Sequence, residues 1–159
     1  MLRKLFLGLV VVVLTACAVS PGNQLAPSTP APVSTSPPTV QALPTLDYTQ
    51  AAPLGSKQAG DLAVSLYCDH NPPIQGANIF GVFVADANNQ PVTDAKITYD
   101  IDMTNMSHGQ YIVEPTSTGA GHYQGKVSFL MPGPWRIIVA IERSGQTSKT
   151  RFDFKVKSN

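Results

Sequence analysis

The feature that most constrains this chain is the strict alternation of its apolar residues beyond position 60. Leu62, Val64, Leu66 and Cys68 alternate with Ala63, Ser65, Tyr67 and Asp69. Ile97, Tyr99, Ile101 and Met103 alternate with Lys96, Thr98, Asp100 and Asp102. Period two is the mark of a strand with one buried face. Further strands are expected over 78–86 (nearly all apolar), 111–113, the stretch carrying Tyr123, Val127, Phe129 and Met131, 135–143 and 147–157. Turn signals separate them: Asn88-Asn89, Pro115, Gly119 with Gly121, Pro132-Gly133-Pro134 and Ser144-Gly145. No window of useful length keeps a helical period. About seven short strands at this spacing predict an all-β fold, an immunoglobulin-like antiparallel β-sandwich.

That domain is expected to occupy residues 60–159, enough chain for one hydrophobic core. Residues 17–59 read differently. Runs such as Ala26-Pro-Ser-Thr-Pro-Ala-Pro-Val-Ser-Thr-Ser-Pro-Pro38 carry almost no charge and no apolar period. Such a segment buries too little surface to offset its ordering entropy and is expected to act as an extended tether. At about 3.1 Å per residue in proline-rich chain, it would hold the domain many tens of ångströms from its anchor.

The anchor is read from residues 1–16. Arg3 and Lys4 precede an apolar run from Leu5 to Leu14 that is too short to span a bilayer. It ends Leu14-Thr15-Ala16-Cys17, which matches the bacterial lipoprotein pattern. The match implies cleavage before Cys17 and acylation of its thiol, hence an extracytoplasmic protein held on a membrane. An ordinary signal peptide with a cysteine near its cleavage site is the alternative. With Cys17 acylated, Cys68 is the one remaining cysteine, so no internal disulfide is expected. Loss of Arg3 and Lys4 turns the formal charge of +1 slightly negative. No basic cluster is present, which argues against a nucleic-acid partner.

The four methionines carry the strongest chemical signal. Apart from Met1, they are Met103 and Met106, in Met103-Thr-Asn-Met106-Ser-His108, and Met131, at the Pro-Gly-Pro turn. Thioether sulfur suits Cu(I), and imidazole suits copper in either oxidation state. Strand phase puts Met103 and Met131 on core-facing positions near strand ends. If both strands run in the same sense, the two ends meet at one pole, with Met106 and His108 in the loop beyond. Met103, Met106, His108 and Met131 are therefore the candidate copper ligands, for Cu(I) in preference to Cu(II). Methionine at an inward strand position also fills cores, which is the competing reading for Met103 and Met131.

Other candidates are weaker. Cys68 shares the inward phase of Leu62, Val64 and Leu66 and reads as a buried thiol, with His70 at the edge of the loop after it. His122 has outward phase and reads as a surface residue. No nucleophile motif and no glycine-rich phosphate loop is present, so an enzyme is not expected.

The landmarks Pro73-x-x-Gly76-x-Asn78, Pro91-Val-x-x-Ala95, Met103-x-x-Met106-x-His108, Gly121-x-Tyr123 and Met131-x-Gly133-x-Trp135 occur in order. Together they resemble the YtkA-like domain family, which is similar in turn to FixH-like proteins. Where many members have Met-Pro in the methionine motif, this chain has Met103-Thr104. The resemblance implies an immunoglobulin-like sandwich outside the cytoplasmic membrane. It also implies a role in copper handling, with a respiratory oxidase or an efflux protein as receiving partner. The expected function is a lipid-anchored copper carrier. The alternative is a metal-free accessory or scaffold module of the cell envelope.

Overall fold

The computed structural model describes residues 44–106, 109 and 111–159. They form nine strands: β1 (Pro53–Ala59), β2 (Leu62–Cys68), β3 (Gly76–Ala85), β4 (Lys96–Met103), β5 (Tyr111–Val113), β6 (Thr116–Gly119), β7 (His122–Phe129), β8 (Gly133–Arg143) and β9 (Gln146–Val156). One sheet has the order β1-β2-β3-β7-β6 and the other β5-β4-β8-β9. Every named strand pair is antiparallel. The expected antiparallel sandwich is present. Its two additional strands, β1 and β6, were not legible in the sequence.

The alternation does what period two requires. Val64, Leu66 and Cys68 of β2, Phe80, Val82 and Val84 of β3, and Ile97, Tyr99, Ile101 and Met103 of β4 are all buried. They meet Trp135, Ile137, Val139 and Ile141 of β8 in one core cluster. Removing these side chains from water supplies the main favourable free energy of the fold. At one end the core is aromatic. Phe129 lies 5.8 Å from Phe80, 5.0 Å from Trp135 and 5.8 Å from Phe154, centroid to centroid. The predicted turn after β3 is fastened by Asp86, whose Oδ1 accepts from the backbone N–H of Asn88 and of Gln90, both at 2.9 Å.

The folded unit begins earlier than residue 60, which corrects the expected end of the tether. Gly60 sits in the β1–β2 turn, and β1 pairs with β2 from Ala59↔Leu62 to Pro53↔Tyr67. β1 also reaches the other sheet, where Lys57 Nζ donates to the Arg151 carbonyl at 2.6 Å. Before β1, residues 44–51 form a strap across the outer face of the five-stranded sheet. Leu46 is buried there. Its N–H donates to Gln124 Oε1 at 3.0 Å, and Tyr48 Oη donates to the Tyr123 carbonyl at 3.3 Å. Gly81 of β3 leaves room for this strap, since a Cβ there would collide with Leu46 and Tyr48.

Candidate metal centre at the methionine pole

Topology brings the methionine-bearing segments to one end of the sandwich. β4 ends at Met103, paired with Trp135 near the start of β8. β7 ends at Phe129, and residues 130–132 lead directly into β8. The ends of β4 and β7 therefore share a pole, so the condition set on the sense of the two strands is met. Past Met103, the Thr104 N–H donates to the Pro134 carbonyl at 3.0 Å, which holds the outgoing loop against the Pro-Gly-Pro turn.

The methionines differ in environment. Met103 is 5% exposed and belongs to the core cluster. Its methyl lies against Gly133, where a Cβ would overlap it. Gly133 has a φ of 141°, a conformation that L side chains rarely adopt, so glycine is required there twice over. Met131 is partly buried and packs on the core, and its carbonyl accepts the Trp135 indole N–H at 3.1 Å. Met106 is 49% exposed. His108 lies outside the described residues, as does Cys17. Three of the four candidate ligands thus stand at the same pole, one buried, one half-buried and one open to solvent.

The polar setting is well satisfied. Asp102 Oδ1 accepts the Met103 N–H at 2.8 Å, and Asp102 Oδ2 pairs with Arg136 at 3.0 Å. Among the described residues, no group of three or more His, Cys, Asp and Glu is placed to hold a metal ion. The sulfur-bearing side chains described at this pole are the thioethers of Met103, Met106 and Met131.

Cys68 is buried, as its phase implied, and burial pushes its thiol pKa far up, away from the reactive thiolate. His70 Nδ1 pairs with Asp69 Oδ1 at 3.0 Å in a partly exposed site. His122 does point outward from β7, but it is not open surface. Its ring centroid lies 4.0 Å from that of Tyr48 of the strap and 4.8 Å from that of Phe83, both rings tilted against it. The strap that covers it was read as tether. Its sequence signal is modest: Leu46 and Tyr48 set large apolar groups at the end of a small, polar stretch.

The YtkA-like family model matches residues 56–140, from β1 to β8, over half the chain and across Met103, Met106 and Met131. The chain belongs to the YtkA-like family. Among solved structures, it is similar to the PmoD soluble domain from Methylocystis, at 13% identity over 64% of this chain and 95% of that one, with a TM-score of 0.47. It is also similar to a copper-bound variant of FetP from uropathogenic Escherichia coli, at 12% identity over 67% of this chain and 97% of that one, with a TM-score of 0.49. FetP as isolated from the periplasm gives 12% identity over 67% of this chain and 95% of that one, with a TM-score of 0.48. No curated protein matches the sequence. Among the described residues, no helix is long and apolar enough to cross a membrane.

Proposed function

We propose that this YtkA-like protein is a lipid-anchored, extracytoplasmic copper carrier. Met103, Met106 and Met131, with His108, hold the ion at the methionine pole. The observation that supports this reading is the convergence of every mature methionine on one end of the sandwich, with Met106 49% exposed at its edge. Copper is the cargo. Met106 is the first donor it meets, Met131 the half-buried second, and Met103 a sulfur offered from the core side. Transfer proceeds by ligand exchange, because thioethers release Cu(I) to competing donors and an open pole admits them. Acylation of Cys17 keeps the domain near a membrane-bound acceptor, an oxidase or an efflux protein, and raises their effective concentration.

The test is a Cu(I) competition titration on the full-length protein in detergent, reduced and anaerobic, against a chromogenic chelator. One tightly bound equivalent is expected, lost in the Met103→Leu/Met106→Leu variant. Leu conserves volume, so the cost in stability should stay below about 1.5 kcal/mol. Unchanged affinity in the double variant would overturn the assignment.

A metal-free docking module has its own supporting observation. Leu130 is 75% exposed at the same pole, and Tyr111 and Ile112 are 41% and 45% exposed on β5 at the sheet edge. Absence of Cu(I) binding in the titration would favour that reading.

A further inference from the structure

The strap over the five-stranded sheet is seated on groups that suit a reversible contact. Beneath it lies Gln124, a buried polar side chain on an outward-facing position of β7. Its Oε1 accepts the Leu46 N–H at 3.0 Å, and its Nε2 donates to the Pro44 carbonyl at 3.5 Å. A side-chain amide thus serves the strap as a neighbouring strand would, and water can replace it on both groups if the strap leaves. Next to it, the His122 ring lies tilted against the rings of Tyr48 and Phe83. Tyr48 also meets Tyr67 edge-on, with centroids 5.3 Å apart. Nδ1 of His122 is buried and has no hydrogen-bond partner among the described residues.

We propose that residues 44–51 form an acid-released strap: protonation of His122 opens it, lengthening the tether and uncovering the outer face of the sheet. A protonated imidazole carries N–H donors on both nitrogens. Under Tyr48, the Nδ1 donor would be a buried charge-bearing group without an acceptor, the arrangement that costs most. Stacking against two aromatic rings offers a cation some compensation, but a weaker one than restored hydration. Among the described residues, no element around His122 supplies a carboxylate against its ring. β3 and β6 have no charged residue, and β2 presents Tyr67. The charged side chains nearby in sequence are Asp47 on the strap, whose carboxylate is turned to Thr49, and Lys126 on β7.

The electrostatics run the same way. Burial holds the His122 pKa below its ordinary 6.5. The released form therefore binds the proton more readily than the strapped form. Strap stability is complete above about pH 6.5 and falls as pH drops towards the depressed value. Tyr48, raised to about 12 by burial, stays neutral throughout. Release would free about 26 Å of chain at ~3.3 Å per residue.

Amide hydrogen exchange on the full-length protein in detergent tests this, with rates corrected for intrinsic pH dependence. The Leu46 amide reports the strap and the Ile137 amide the core. Between about pH 7.5 and about pH 5, Leu46 protection should fall by up to about tenfold for each unit by which the strap depresses the histidine pKa, while Ile137 is unchanged. In His122→Phe, which keeps a stacked ring without a titrating group, Leu46 protection should be the same at both pH values. In Tyr48→Ala, it should be low at both. A wild-type Leu46 amide indifferent to pH, or an equal acid loss in His122→Phe, would overturn the proposal. If His122→Phe does not fold, an undiminished acid-dependent loss in Tyr48→Ala would overturn it as well.

Discussion

At the residue scale, the methionine pole rests on a contact between Met103 and Gly133. The glycine is constrained by its φ of 141° and by the methyl above it. Gly133→Ala should therefore cost about 1–3 kcal/mol, from backbone strain and overpacking together. Urea denaturation would measure it as a lower midpoint with an unchanged slope. Shortening the partner should relieve the overpacking and leave the strain. The Gly133→Ala/Met103→Val double variant is thus expected to be less destabilised than the sum of its single changes, and an additive result would mean that the two do not touch. Met103 was legible in the sequence because it ends an alternating run, and the turn at Gly133 because prolines flank it. Their contact was not, since it joins residues far apart along the chain through the pairing of β4 with β8. Strand phase identified the inward positions of Met103 and Cys68 for the same reason that it identified the core. It gave His122 the correct direction but the wrong surroundings, because phase reports which way a side chain points and not what lies over it.

At the element scale, the weakly patterned strands explain what the sequence concealed. β6, Thr116–Gly119, is exposed along its whole length and so has no buried face to produce an alternation. β1, Pro53–Ala59, buries Ala59 alone and is held largely by backbone pairing with β2. Neither could be read from hydrophobic period, yet β1 is not dispensable. A chain beginning at Gly60 would lose the strap and β1 together and leave β2 as a bare edge, a template for aggregation. It is expected to lack a cooperative melting transition followed by Trp135 fluorescence, whereas a chain beginning at Pro44 should show one; a cooperative melt from the shorter chain would make β1 an ornament of the sheet. The loop before β3 depends on one side chain. Asn78 is buried, accepts the Ile74 N–H at 3.0 Å, and donates to the carbonyls of Ile74 at 2.8 Å and Gly76 at 3.0 Å. Asn78→Ala would leave those backbone groups unpaired and should destabilise the protein by about 1–3 kcal/mol, measured by chemical denaturation.

On the scale of the whole molecule, the two poles have different chemistry. The pole away from the methionines is polar, with Asp61, Asp86, Asn88, Arg143 and Ser144 around a shallow hollow. The methionine pole gathers sulfur, proline and the exposed Leu130. A ligand at that second pole would join the end of β4 to the turn between β7 and β8, segments tied across the pole mainly through Thr104 and Pro134. It would therefore stabilise the native state by linkage, because the unfolded chain does not hold its methionines together. At free Cu(I) a hundredfold above the dissociation constant, the gain is about 2.7 kcal/mol, enough to raise the thermal midpoint by several degrees. The gain should also be local below global unfolding. Copper is expected to slow exchange of the Thr104 amide and to leave that of Asn89, in the turn at the opposite pole, unchanged. Equal slowing at both poles would point to a general effect on the fold. A rise in the midpoint that survives Met106→Leu and Met131→Leu together would place copper elsewhere on the chain. Because those two methionines lie outside the fully buried core, their replacement tests ligation with little disturbance of packing.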